Sequence, residues 1–282
     1  MNAAAKGIKI VNPAAHRATI IKLLNANAYQ HNLYDVFRDF CELAALAISN
    51  SIDLMQREVR EARYMSIVKR YTKDEVNRFP QILAELVVTL ELEPGDVLGQ
   101  VFSELELGNS ARGQFFTPYC VSQAIAKLQV GDGADMREII KQRGFVTVSE
   151  PTVGAGAMVV AMADAMQAIG INYQQHMHVT AQDIDQRAVH MAYLQFSLLG
   201  IPAIVILGNT LMVEERERWI TPAHALGMWP QKLARGYALG SAMDVPPSAE
   251  ITEPAGPHLV ALPRQDFPPP QSQAAEVQLD LF

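Results

Sequence analysis

Three short apolar segments, each running into polar or glycine-rich residues, constrain this chain more than anything else in it. The first is Phe145-Val146-Thr147-Val148-Ser149-Glu150, which leads into Pro151-Thr152-Val153-Gly154-Ala155-Gly156. The second, His178-Val179-Thr180-Ala181, ends in Gln182-Asp183-Ile184-Asp185; the third, Ala203-Ile204-Val205-Ile206-Leu207, ends in Gly208-Asn209-Thr210-Leu211. Between them Met158 to Ala168 and Gln186 to Leu199 have helical spacing. Strand-like segments alternating with helices give the βαβ pattern of a mostly parallel sheet. The fold class is therefore α/β.

The chain before this region reads as helix. Leu33, Val36, Phe37, Phe40, Leu43, Ala44 and Ala47 recur at three- and four-residue spacing, the mark of one buried stripe. Ile82, Leu83, Leu86, Val87 and Leu90 repeat the pattern behind Phe79-Pro80, which predicts a helix start there. Glu93-Pro94-Gly95-Asp96 ends that helix, and Val97 to Leu107 begins another. After Leu211 a helix-like piece carries Trp219, His224 and Trp229, and from Val245 the chain turns rich in Pro, Ala and Gln. The expected organisation is a helical domain over 1–96, a cofactor-binding domain over 97–244, a Pro-rich linker over 245–277 and a terminal peptide over 278–282.

Charge excludes a protein coated in basic surface, since the net charge is −7 over 282 residues. The basic run Arg57, Arg60, Arg63, Lys69, Arg70 and Lys73 is interleaved with Glu58 and Glu61, and reads as a solvated helix face. Cys41 and Cys120 stand far apart without metal-ligand spacing, which points to a reducing compartment. No apolar run approaches the roughly 20 residues that cross a bilayer, and the first residues lack a secretory pattern. A cytoplasmic location is expected.

Gly154-Ala155-Gly156, between a strand and a helix, lets backbone approach a ligand where a Cβ would clash. Glu150 ends the strand before it, where a carboxylate can meet an ammonium group. Asp183 ends the next strand, where an acid can accept two ribose hydroxyls. These features describe a nucleotide-type site, and they also fit a tight structural turn. A third glycine, which NAD binding would ask for, is missing: Val159 and Val160 follow Met158.

The order Gln114-Phe115-Phe116-Thr117-Pro118, Glu150-Pro151-Thr152-Val153-Gly154-Ala155-Gly156-Ala157, Gln182-Asp183-Ile184-Asp185 and Gly208-Asn209-Thr210-Leu211 resembles the modification subunits of type I restriction-modification systems. These are N6-adenine DNA methyltransferases that use S-adenosylmethionine on a Rossmann-like sheet. The resemblance covers roughly residues 95–212, and less specifically the helical region before it. It implies that Phe115, Thr117 and Pro118 lie beside the methionine end of the cofactor. It also implies that Glu150, Gly154 and Gly156 form the glycine loop, that Asp183 holds the ribose and that Asn209 sits by the cofactor adenine. The family has Asp where this chain has Asn209; an amide can still pair with an exocyclic amine.

One family motif has no counterpart. An Asn/Asp-Pro-Pro-Phe/Tyr tetrapeptide after a fourth strand receives the target adenine in that family. Here Asp244-Val245-Pro246-Pro247 is interrupted, and Pro263-Arg264-Gln265-Asp266-Phe267 does not restore it. The sheet reads as truncated, with too few residues after Leu211 for four more strands, and the catalytic residues stay unassigned. A partner subunit completing the active site is compatible with this. Trp219, His224 and Trp229 are either a substitute stacking surface or packing anchors. At the chain end Gln278-Leu279-Asp280-Leu281-Phe282 resembles the bacterial sliding-clamp-binding pentapeptide, which implies the clamp as a partner. The sequence thus predicts an adenine-specific DNA methyltransferase recruited to DNA. The alternatives are a cofactor-binding accessory factor without methyl transfer, and a nucleotide-binding protein unrelated to methylation.

Overall fold

A computed structural model describes residues 12–105, 107 and 117–244. Phe115, the Pro-rich stretch 245–277 with Pro263 to Phe267, and the terminal peptide Gln278 to Phe282 lie outside the described residues.

Four of the five helices of the N-terminal part, all but α3 (Arg57–Val68), begin behind a short polar side chain that caps them. Helix α1 (Pro13–Asn27) starts behind Asn12, whose side chain accepts from the Ala14 amide, with Pro13 at the first helical position. Helix α2 (Leu33–Ser49) starts behind Asn32 in the same way and is buried along most of its length. Helix α3 (Arg57–Val68) follows. Helix α4 (Lys73–Leu92) corrects the expected start at Phe79-Pro80. Its first turn is fixed by a reciprocal capping box between Thr72 and Glu75, and Pro80 lies inside the helix. Pro80 faces solvent, so water can serve the carbonyl it leaves without a backbone donor. Helix α5 (Val97–Glu104) is capped by Asp96 through the Gly99 amide.

The second part opens with α6 (Tyr119–Val130) and α7 (Ala134–Arg143), and then alternates as expected. Strand β1 (Val146–Glu150) leads to α8 (Ala157–Ala168) and the single turn α9 (Tyr173–His176). Strand β2 (Met177–Asp183) leads to α10 (Gln186–Leu198), and β3 (Ala203–Asn209) follows. The order across the sheet is β1-β2-β3-β4, with β1–β2 and β2–β3 parallel.

Strand β4 (Glu214–Ile220) pairs antiparallel with β3 and corrects the helix-like reading of the residues around Trp219. Its sequence, Glu-Glu-Arg-Glu-Arg-Trp-Ile, has no apolar alternation, so local pattern gives no strand signal. Pairing with the buried β3 imposes the strand, and the alternating charges suit an edge exposed to water. Two short helices, α11 (Pro222–Leu226) and α12 (Trp229–Arg235), complete this part. Among the described residues the opposite edge, β1, pairs on one side only and carries no charge from Val146 to Ser149. Among the described residues no helix is long and apolar enough to cross a membrane.

The helices pack onto the sheet through α2 and α10, and a buried arginine ties the two parts together. The Arg60 guanidinium lies 4.4 Å from the centre of the fully buried Trp219 ring, against which His190 and Tyr193 also pack. It donates to Ser49, to Asp53 and to the Arg218 carbonyl. Arg63 joins Glu42 on α2 to Glu217 on β4. The basic run on α3 is therefore not uniformly a solvated face: Arg60 is an internal clamp. Arg60→Ala removes three hydrogen bonds and a cation–π contact and strands Asp53. It should cost about 3 kcal/mol of unfolding free energy, read from urea denaturation. A loss below about 1 kcal/mol would show that β4 holds its place without the clamp.

Candidate cofactor site

The carboxyl ends of β1, β2 and β3 meet at one edge of the sheet, where ligands bind in open α/β folds. Registration sets the side chains: Glu150 lies opposite Ala181, and Asp183 opposite Leu207, two residues before Asn209. Glu150, Asp183 and Asn209 thus end three adjacent strands.

Asp183 is the centre of this arrangement. Its Oδ2 accepts from the Gly154 amide at 2.9 Å and its Oδ1 from the Asp185 amide at 2.9 Å. Each oxygen keeps a lone pair, so the carboxylate is held in place and can still accept two hydroxyl donors. Burial pushes its pKa above the usual carboxylate range, an effect opposed by these amides and reinforced by the nearby Asp185 charge.

The glycines play different parts. Gly154 sits at φ +54° and aims its amide at Asp183. Gly156, at φ +100°, caps α8, and a Cβ there would come within 2.6 Å of the Phe196 ring. Its requirement is helix packing against α10, not approach to a ligand. No side chain caps α8, so its first-turn amides face the same loop free of intrahelical partners. Glu150 is half-buried, and its Oε1 accepts from the Thr152 amide at 3.2 Å.

Asn209 differs from expectation in one respect. Its Oδ1 accepts from the Leu211 and Met212 amides at 3.1 and 3.2 Å. The group left for a ligand is the amide NH2, a donor suited to a ring nitrogen and not to an exocyclic amine. Thr210 then donates to the Pro151 carbonyl at 2.7 Å, tying the β3–β4 turn to the glycine loop. The turn presents exposed Leu211, Met212 and Val213, and Val213 takes φ +53°. A β-branched side chain is poorly suited to that region. Val213→Gly should raise stability by about 1 kcal/mol, visible as a higher urea midpoint. A lower midpoint would mean that the valine side chain contributes more than its backbone costs.

Thr117 and Pro118 lie at the start of α6, in a cleft of about 450 Å3 bounded by Asp96, Gly99, Gln100 and Tyr119. No hydrogen bond joins them to the glycine loop among the described residues. The link between cleft and loop is one that sequence reasoning missed. Gln195, fully buried on α10, donates to Asp96 Oδ1 at 2.9 Å and to the Ala155 carbonyl at 2.7 Å, and accepts from the Leu98 amide at 3.0 Å. The available signal was a lone glutamine within the apolar run Ala192-Tyr193-Leu194-Gln195-Phe196.

Trp219 and Trp229 are both fully buried. Trp229 packs on Phe145 and His178, and His224 shares a 2.8 Å hydrogen bond with His178. They are packing anchors and offer no stacking surface. Among the described residues no group of three or more His, Cys, Asp or Glu side chains is placed to hold a metal ion.

The fold is an α/β domain whose three parallel strands bring Glu150, Asp183 and Asn209 to one edge of the sheet. Residues 95–226 match the model of the N-6 DNA Methylase family, a span that includes the glycine loop, all three strand ends and β4. The match supports an adenine DNA methyltransferase family for this region. No curated protein and no solved structure matches the chain.

Proposed function

We propose that this chain is an N6-adenine DNA methyltransferase that takes its methyl group from S-adenosylmethionine, in a pocket at the carboxyl ends of β1, β2 and β3. The observation that carries this reading is the Asp183 carboxylate, held by the Gly154 and Asp185 amides with one lone pair open on each oxygen, inside the region that matches the methylase family. Those lone pairs suit two vicinal ribose hydroxyls. Glu150 receives the ammonium of the methionine part, and Phe115, Thr117 and Pro118 bound the same end. The Asn209 NH2 donates to a ring nitrogen of the cofactor adenine. Gly154 and Gly156 shape the loop, the second of them through packing. When bound, the cofactor supplies an electrophilic methyl group on a sulfonium.

The base-receiving half belongs, in this reading, to a partner subunit that completes the active site. The edge of β1, uncharged from Val146 to Ser149 and paired on one side only among the described residues, supports this, because sheets that end at such an edge invite another strand. Gln278 to Phe282, after a Pro-rich stretch, would bring the protein to DNA through a sliding clamp, in keeping with the net charge of −7.

The test is modified-base sequencing of a methylase-deficient bacterial host that expresses the chain. The expected result is binding of S-adenosylmethionine by the purified chain, and new N6-methyladenine at a defined sequence where the host supplies the completing polypeptide, both absent from a Glu150→Ala, Asp183→Ala double variant. A well-folded chain that neither methylates DNA nor binds S-adenosylmethionine in calorimetry would sink the reading.

A further inference from the structure

The other end of the sheet carries a second cleft, of about 630 Å3. It is bounded by α7, α9, α12 and the residues after α12, at the point where β1 and β2 begin. β1 is 5 residues long, and at ~3.3 Å per residue this places the cleft about 15 Å from the glycine loop. Its volume falls within the range of about 300–1,000 Å3 usual for small-molecule sites.

Four of its lining side chains are basic, Lys141, His176, Lys232 and Arg235, and no carboxylate side chain lines it. In a chain of net charge −7 such a concentration is unexpected. Among the described residues Lys141, Lys232 and Arg235 form no ion pair. The acid nearest Lys141 in sequence, Glu138, accepts from the Gln142 side-chain amide at 2.9 Å, and the one nearest Arg235, Asp244, is engaged by the Gly240 amide at 2.8 Å. His176 donates from Nδ1 to the Gly144 carbonyl at 2.9 Å, which leaves Nε2 free. Burial, and next the Arg235 charge, lowers the Lys232 pKa, as expected of cations held together without a counter-charge.

The cleft is also apolar in part. Met228 and Leu239 line it and are 60% and 68% exposed. Met228 holds φ +53° between α11 and α12, an unfavourable conformation that positions its side chain at the cleft wall. Cations suit a phosphate group, and a thioether with an aliphatic neighbour suits the face of a flat heterocycle.

We propose that this cleft is a second ligand site, which binds a nucleoside phosphate with its phosphates on Lys141, Lys232 and Arg235 and its base against Met228 and Leu239. This inference is independent of the methyltransferase reading. The site lies away from the strand ends that hold the proposed cofactor, so occupancy of one leaves the other open.

Calorimetric titration with ADP at low salt tests it, using the full chain. ADP should bind the wild type, and the Lys232→Gln, Arg235→Gln double variant should bind it about tenfold more weakly or worse while still unfolding cooperatively, at a melting temperature lowered only by the loss of the Lys232 contact with the Trp229 ring, 4.3 Å from its centre. Lys232→Arg should retain binding, and Asp183→Ala should leave it unaffected, since that substitution alters only the pocket at the opposite end. Inorganic phosphate should displace ADP weakly. The proposal is overturned by an absence of ADP binding, or by equal binding to wild type and double variant. It is also overturned if Asp183→Ala abolishes binding, or if duplex DNA binds at these cations while ADP does not.

Discussion

Asp183→Ala is expected to weaken binding of S-adenosylmethionine about a hundredfold, measured by calorimetry on the purified chain. Hydrogen bonds to a charged acceptor contribute about 1.5–3 kcal/mol each, and at 1.4 kcal/mol per factor of ten the loss of two weak ones amounts to two decades. The variant also leaves the Gly154 and Asp185 amides without their acceptor, so the glycine loop loosens. Asp183→Asn separates these effects, since one oxygen remains to hold a loop amide while the charge is lost. It should sit between wild type and alanine. An affinity unchanged in both variants would remove Asp183 from the pocket.

The same residue sets a pH dependence with two opposite signs. Burial raises the Asp183 pKa in the folded state. Its contribution to stability is therefore present in acid and fades as pH rises through the raised value. Cofactor affinity should move the other way and fall as pH drops through that value, because the protonated carboxyl loses acceptor strength. A carboxylate at its usual pKa would show the affinity change at lower pH and no accompanying change in stability.

Gln195→Leu should lower the free energy of unfolding by about 4 kcal/mol, the largest effect expected of any single substitution outside the aromatic core. Gln195 satisfies three buried groups at once, the Asp96 carboxylate, the Ala155 carbonyl and the Leu98 amide. Leucine fills similar space and serves none of them. Asp96 would keep the Gly99 amide as its remaining donor while buried, and its pKa, already raised by burial, would rise further. The deficit should therefore shrink in acid, where Asp96 becomes neutral, and be largest at neutral pH. Urea denaturation at two pH values measures this. A loss under about 1 kcal/mol at neutral pH would mean that water replaces the glutamine.

What could be read from the sequence depended on whether a residue's role was local. The strand ends at Glu150, Asp183 and Asn209 were legible because apolar runs stop there and the βαβ pattern brings the carboxyl ends of parallel strands to one edge. The start of α4 was misplaced because Pro80 is a conspicuous local signal, while the Thr72–Glu75 capping box that sets the boundary is a quieter one. Strand β4 could not be read, since it owes its conformation to β3 and its buried Trp219 to α3. The roles of Gln195 and Arg60 could not be read for the same reason, although the lone glutamine in an apolar run was a signal of burial. Their partners lie far along the chain, and a polar or charged residue is read as exposed until its partners are known. Asn209 ends β3 as expected, but only the turn geometry shows that its oxygen is engaged by the Leu211 and Met212 amides.

The clamp between Arg60 and β4 has a consequence for synthesis on the ribosome. Arg60 and the Arg218 carbonyl it bonds are 158 residues apart, so at about 5–20 residues per second the helix is made roughly 8 to 30 s before its partner strand. Once β4 emerges, its four-residue connection to β3, Thr210 to Val213, lets that hairpin close in microseconds. The slow interval is the wait beforehand, when α2 and α3 exist with charged side chains destined for burial and no strand to bury them. Conditions that slow elongation should prolong the most vulnerable period of this chain, and a slot for chaperone engagement opens there.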